Sequence, residues 1–385
     1  MTESDLGGTS PIAADHKQSM PGWIRTVLVL TLLYLFLVGV KLLESGVKIL
    51  GSDTAGGLFD GITNPIAALC VGILATVLVQ SSSVTTATIV GLVAAGQLPI
   101  ETAVPMIMGA NIGTTVTNTI VSLGSARQTE GFRLAFTAAT MHDFFNLIAV
   151  AILLPLEIAT GFLLSTATWI AEKLPVGQDA TFDSPIKGAV KWGAQQFERI
   201  LEFFISNETV LGVSMIVLGI AIIFITLTYI TKNMRILIAS RIETSMNAAL
   251  ARSGLVGMGV GIIVTIAVQS SSITTSILVP LVAAGILAVR NAYPITLGAN
   301  IGTTITAFLA ALATGTLAGM EIAIVHLLFN VFAILIIYPF PKIRYIPVDL
   351  AGRLAKLAMN RKSLAIGYVV VAFIVVPVLG IVIFN

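Results

Sequence analysis

Charge is what this chain has least of. Of its 385 residues only 10% are Asp, Glu, Lys or Arg, against about 25% in a soluble globular chain. The basic residues lie between apolar runs instead of forming one patch, which argues against a nucleic-acid partner. Cysteine is scarcer still: the single Cys70 sits inside an apolar run, so no intramolecular disulfide can form. With three histidines and one cysteine there is no Cys/His cluster for a transition metal. No G-x-x-x-x-G-K-[ST] segment is present to cradle a nucleotide phosphate. Residues 1–22 are polar and poor in aromatics, with no short apolar core ahead of a cleavage site. They read as a disordered tail and not as a signal peptide.

Apolar residues are what the chain has most of. They make up 56% of it, and the mean hydropathy is +0.98. A membrane span needs about 20 consecutive apolar residues. Thr209–Thr231 and Ser363–Phe384 meet that length cleanly, and Ile24–Leu50 meets it with Lys41, Glu44 and Lys48 near its end. The expectation is an all-α polytopic membrane protein with membrane lipid around it.

An internal repeat decides the architecture. Residues 72–117 and 261–306 align without a gap at an offset of 189, and 27 of 46 positions are identical. Both copies carry Q-S-S-S, V-A-A-G and G-A-N-I-G-T-T in the same order. A shorter match follows, His142-x-x-Phe145-Asn146 and His326-x-x-Phe329-Asn330. Charge gives each copy a direction. Residues 232–252 hold Lys232, Arg235, Arg241 and Arg252 against Glu243. Residues 341–362 hold six basic residues against Asp349. The positive-inside rule places both segments in the cytoplasm. Counting spans from there puts residues 175–206 outside, Arg127 and Arg133 inside, and the N-terminus inside. The first Q-S-S-S segment then opens outward and the second inward, the inverted-repeat plan of secondary transporters. The expected divisions are a cytoplasmic tail (1–23), a first transmembrane repeat (24–157) and an extracytoplasmic linker (158–206). A second repeat (207–341) and a cytoplasmic segment with the final transmembrane helix (342–385) complete the chain.

The apolar stretch Pro65–Leu98 has 34 residues, about 51 Å as helix at ~1.5 Å per residue. Two full crossings of ~30 Å need more. The length favours two short limbs that meet at Gln80–Ser83 as a re-entrant helical hairpin over the alternative of two tilted spans with Q-S-S-S as an outer loop, and Gly254–Val289 repeats the shape with its tip at Gln269–Ser272. Non-helical backbone at that depth needs protein or a water-filled cavity around it. The second motif, Gly109–Thr115 and Gly298–Thr304, falls inside spans near 103–124 and 293–313. It reads as an interrupted helix, although Gly109-x-x-x-Gly113 also suits close helix packing with threonine hydroxyls bonded back to carbonyls.

Within the two 46-residue copies the only charged residues are Glu101 and Arg290, both at predicted membrane edges. A site built from these motifs is neutral and rich in hydroxyls, amide oxygens and free backbone groups. Helix N-termini favour an anion, whereas carbonyl, amide and hydroxyl oxygens suit a hard cation such as Na+. An anion and cations held together would each bind well only in the other's presence, which gives coupling a physical cause. The expected anion-binding residues are Ser82, Ser83, Ser271, Ser272, Thr114 and Thr303. The expected Na+ ligands are Gln80, Ser81, Asn111, Thr115, Asp143, Asn146, Gln269, Ser270, Asn300, Thr304 and Thr306. Which hydroxyl serves which ion stays open. Asp143 breaks the symmetry, since Leu327 is its counterpart, and a carboxylate within a span is a functional candidate. His142 and His326 read as structural hydrogen-bonding residues.

The paired Q-S-S-S motifs, the paired G-A-N-I-G-T-T motifs and His142-Asp143-Phe144-Phe145-Asn146 closely resemble the type II sodium-dependent inorganic phosphate cotransporters, in particular their bacterial members, over roughly residues 24–340. The resemblance implies Na+-driven uptake of inorganic phosphate across the cell (inner) membrane by alternating access. Na+ is then the coupling ion, with no organic cofactor and no enzymatic activity. It also implies that Asp after the His of this motif marks an electrogenic member. A transporter of another small anion, such as a dicarboxylate, would use the same hairpin plan, as would, less readily, an ion channel. The sequence leaves oligomeric state open.

Overall fold

The computed structural model describes residues 21–55, 62–123, 129–174, 185–250 and 253–385. Among them there are helices and turns and no strand. Apolar composition throughout and backbone groups that must be satisfied within each segment leave the helix as the solution for a spanning chain. The order is α1 (Gly22–Ala55), α2 (Pro65–Val79), α3 (Ser82–Ala94), α4 (Ile100–Gly113), α5 (Val116–Leu123) and α6 (Thr129–Thr160). Two helices of the linker follow, α7 (Phe162–Ala171) and α8 (Pro185–Phe204). Then come α9 (Glu208–Leu250), α10 (Gly254–Val268), α11 (Ser271–Ala283), α12 (Val289–Thr314) and α13 (Leu317–Ile337). The chain ends with α14 (Ile346–Asn360), α15 (Lys362–Val370) and α16 (Val376–Phe384), the last two joined through a π-helical turn at Val371–Val375.

Among the described residues, six helical segments are long and apolar enough to cross a membrane: Gly22–Leu50, Glu130–Thr160, Glu208–Met234, Val289–Thr314, Leu317–Ile337 and Lys362–Phe384. The chain is thus a multi-pass membrane protein. Residues 1–20 of the tail, Arg127, residues 175–184 of the linker, and residues 251–252 lie outside the described residues.

The two copies fold alike. α2 and α10 have 15 residues each, α3 and α11 have 13 each, and at ~1.5 Å per residue all four fall short of a ~30 Å crossing. Each short pair is followed by a glycine-bearing helix laid against its first limb, α4 on α2 and α12 on α10. Small residues allow that approach. A Cβ on Gly109 would collide with the Leu69 carbonyl oxygen, and one on Gly298 with the Met258 carbonyl oxygen. At Gly72 and Gly261 the clash would be with the Met106 and Ile295 carbonyls. α1 and α9, which open the two copies, pack on each other through Gly39, Gly46, Gly212 and Gly219. The second limbs then cross over: α3 packs on α12 and α13 of the second copy, and α11 on α5 and α6 of the first.

One expectation is corrected. The helix bearing Gly298–Thr304 is not interrupted; α12 runs unbroken through it. Within it the Thr303 hydroxyl donates to Ala299 O at 3.0 Å and the Thr304 hydroxyl to Ile301 O at 2.7 Å, so the motif's hydroxyls are spent on its own helix. In the first copy the helix does break, between α4 and α5 at Thr114–Thr115, but only as a tight turn. There Thr115 N donates to Ile112 O at 3.3 Å while both threonine hydroxyls bond back to Ala110 O and Ile112 O at 2.8 Å.

Candidate functional site

Two residues depart from the helical pattern in the same way. Gln80 (φ 56°) and Gln269 (φ 58°) are the only non-glycine residues with left-handed backbone among those described. Glycine would take that conformation at lower cost, so the side chain is what the position keeps. In both tips the glutamine amide donates back into its own helix, to Val77 O at 2.5 Å and to Ile266 O at 2.6 Å. That satisfies a carbonyl of the last turn. The Oε1 atoms then accept from Thr117 at 3.2 Å and from Thr306 at 3.3 Å, two threonines 189 positions apart.

The next residue in each tip starts the second limb. Ser81 and Ser270 are extended N-caps whose Oγ atoms accept from Val84 N (3.3 Å) and Ile273 N (3.4 Å). Ser82 and Ser83 are the first two helical residues of α3, and Ser271 and Ser272 the first two of α11. Their N–H groups have no intrahelical acceptor. Both tips line one cavity of about 410 Å3 with Thr117 and, from α9, Thr228, Thr231 and Lys232. The Thr306 hydroxyl also lies 3.4 Å from Ser83 Oγ, a direct contact between the copies.

The remaining expected ligands fall into three places. Thr114, Thr303 and Thr304 are buried, bonded to their own helices, and do not line the cavity. Asn111, Asn146 and Asn300 form a buried crossed network. His142 Nε2 donates to Asn300 Oδ1 at 2.6 Å, Asn300 Nδ2 donates to Asn146 Oδ1 at 3.0 Å, and Asn146 Nδ2 donates to Asn111 O at 2.8 Å. Asn330 Nδ2 reaches Asn111 Oδ1 at 3.3 Å. The His/Asn helix of each copy therefore grips the asparagine of the other copy's glycine motif.

Asp143 stands apart. It is fully buried between α5 and α15. Its Oδ2 accepts from Tyr368 OH at 2.9 Å and from Thr119 Oγ1 at 3.4 Å, and its Oδ1 has no hydrogen-bond partner. Thr115, one turn before Thr119, bonds to its own helix. A buried carboxylate with one unpaired oxygen and hydroxyls beside it is a donor set that fits a hard cation.

Sequence reasoning missed Thr117, Asn118, Thr119 and Tyr368. Thr117 had a signal, since it is the repeat partner of Thr306. Asn118 bridges the copies, donating to Thr275 Oγ1 at 2.6 Å and accepting from Ser276 Oγ at 2.9 Å, but the second copy has Ala307 in its place. Tyr368 lies beyond both copies, and nothing in the sequence pairs it with Asp143.

The sequence profile of the Na+/Pi-cotransporter family matches residues 35–169 and 222–338, the two stretches that hold the tips, the asparagine network and Asp143. The chain is 32% identical to sodium-dependent phosphate transport protein 2A of the mouse, over 92% of its own length and 67% of the relative's. It is 35% identical to the rabbit protein 2A over 95% and 68%, and 32% identical to bovine protein 2B over 92% and 64%. No solved structure matches it. With the profile spanning both copies and identity of this level along most of its length, the chain belongs to the Na+/Pi-cotransporter family.

Proposed function

We infer that this protein couples the entry of Na+ to uptake of inorganic phosphate, with the two tips forming the phosphate site. One observation carries the reading. Two sequence-identical tips, each with a left-handed glutamine followed by the N-terminus of a 13-residue helix, line one cavity. Two helix N-termini and up to six serine hydroxyls suit a small oxyanion better than any neutral solute. Ser82, Ser83, Ser271 and Ser272 would hold phosphate, and Gln80, Ser81, Gln269, Ser270 and Thr306 would offer oxygens to Na+ at its edge. The names of the relatives, which are sodium-dependent phosphate transport proteins, point to the same pair of ions.

The copies would lie in the membrane with opposite directions and with each hairpin re-entrant. Arg133, Arg290, Arg353 and Lys356, which charge counting assigns to the cytoplasmic side, line a single cavity, which supports that topology. The tip cavity reaches Lys232, at the end of the α9 span that charge counting assigns to the same side, which supports reading this arrangement as inward-facing. Alternating access would rock the hairpins against the crossed asparagine network. Asp143 would take one further Na+, making transport electrogenic. The test is phosphate uptake into proteoliposomes with an inward Na+ gradient or with K+ in its place. Uptake should require Na+; equal uptake in K+ would rule the coupling out.

A further inference from the structure

A second cavity, of about 450 Å3, opens where α6, the start of α12 and α14 meet. Its wall carries Arg133 from α6, Arg290 from α12, and Asp349, Arg353 and Lys356 from α14. Four cations face one carboxylate, in a chain where charge is scarce. Glu130 pairs with Arg133 from one turn away. Arg290 is held over the ring of Tyr345, its guanidinium carbon 4.7 Å from the centroid, which fixes the group without neutralising it. Among the described residues Arg290, Arg353 and Lys356 form no salt bridge. Gly352 leaves room in the wall, since a Cβ added there would meet nothing within 4 Å.

A general excess of positive charge on this side explains why basic residues are present. It does not explain why three separate elements, one in the first copy, one in the second and one beyond both, turn theirs into one concavity. Like charges gathered this way repel until an anion sits among them. We propose that this cavity binds a phosphate-bearing anion, with Arg290 and Arg353 as forked donors, Lys356 as a point charge, and Arg133, whose fork Glu130 holds, at its edge. Its position favours a lipid headgroup as the source. Arg133 and Arg290 lie in the first turns of the spans Glu130–Thr160 and Val289–Thr314, at headgroup depth. α14 beside them is amphipathic, with Pro347, Val348, Ala351, Ala355 and Ala358 buried and Arg353 and Lys356 exposed, a form suited to an anionic leaflet. The volume fits a small phosphorylated headgroup.

The test uses the full chain purified in detergent and follows its thermal unfolding, since a ligand of the folded state raises Tm with its saturation. Dioctanoyl phosphatidic acid, dioctanoyl phosphatidylcholine and inorganic phosphate are each titrated against the parent and the R353A/K356A variant. Phosphatidic acid should raise the parent's Tm, and the variant should need about tenfold more lipid for the same rise. Phosphatidylcholine should not separate the two proteins. If inorganic phosphate separates them and phosphatidic acid does not, the cavity takes free phosphate; phosphate bound at the tips is common to both proteins and cancels. If neither anion separates parent from variant, the proposal is overturned. Both side chains are exposed, and Arg353→Gln, which keeps a polar side chain, is run alongside to separate lost binding from lost folding.

Discussion

In the first copy the helix after the hairpin breaks at Thr114–Thr115, and Asp143 lies beside the segment that follows the break. In the second, α12 runs through the same motif without a break, and Leu327 stands where Asp143 does. Around the tips the copies match instead: the same left-handed glutamine, the same serine N-cap, and the same threonine on the glutamine oxygen. On the proposed function, the match marks what both halves would do to one shared ion. The difference marks what only one half does. On the proposed function, a symmetric pair of neutral tips would serve the anion and its accompanying cations, and the unpaired carboxylate would change the charge that moves.

The largest test of the likeness is the glycine packing. Gly109→Val and Gly298→Val each force a side chain into a neighbouring backbone carbonyl, Leu69 O or Met258 O. A carbonyl held in a helix cannot swing aside. Each variant should lose at least the ~3 kcal/mol upper end of ordinary overpacking, seen as loss of folded protein by size-exclusion chromatography. Equal losses would fit two equivalent copies; a folded Gly298→Val protein beside a lost Gly109→Val one would break the comparison at its foundation.

The tips come next. Ser82→Ala and Ser271→Ala each remove a buried hydroxyl from the first turn of a limb. Each should slow Na+-dependent phosphate uptake by the equivalent of about 1–3 kcal/mol. Ser122→Ala, at a buried hydroxyl that donates to Thr119 O at 2.6 Å within its own helix, should have a smaller effect. Uptake is compared at equal expression. If the tip variants transport normally, Q-S-S-S is only a turn.

How far the sequence carried the reading depends on whether an interaction repeats. Spans, the short paired limbs and the tips were legible because apolar length and the 189-residue offset are properties of the sequence itself. The glycines were legible as close-packing sites but not as signs of a helix that stays whole. The paired threonines bond back to the same carbonyls in the broken helix and in the whole one, so these residue types do not tell the two apart. The crossed network was legible as a set of residue types, yet no spacing rule shows that His142 meets Asn300, 158 positions away. Thr117 could have been found by applying the offset to Thr306. Asn118 and Tyr368 could not, because each makes a contact the other copy lacks.

The asymmetry gives the third expected outcome. Asp143→Gly should leave Na+-dependent phosphate uptake measurable but remove its response to an imposed membrane potential, where one charge crossing is worth up to ~2.3 kcal/mol per 100 mV. Proteoliposomes with a K+/valinomycin potential of either sign measure this. A glycine in a helix costs about 1 kcal/mol, so Asp143→Asn is compared for folding. If the parent shows no response to potential, the electrogenic reading fails. If Asp143→Gly responds like the parent, the extra cation lies elsewhere.

The smallest effect sharpens the same point. Tyr368 is not part of either copy, and its hydroxyl donates to Asp143 Oδ2 at 2.9 Å. Its ring is fixed among Phe136, Phe144 and Phe373, with centroids 6.4, 6.5 and 6.0 Å away. So held, it sets the direction of the carboxylate and leaves Oδ1 unpaired. Tyr368→Phe keeps the ring and the packing while removing that constraint. The carboxylate charge stays, so the response to membrane potential should stay. What changes is the ordering the carboxylate must undergo when a cation arrives. A net hydrogen bond of about 0.5–1.5 kcal/mol corresponds to a rise of about two- to tenfold in the Na+ concentration for half-maximal uptake. A side chain that only filled space would leave that concentration where it is, because phenylalanine fills the same space. Loss of the voltage response in Tyr368→Phe would mean that the final helix takes part in moving charge and does more than orient Asp143.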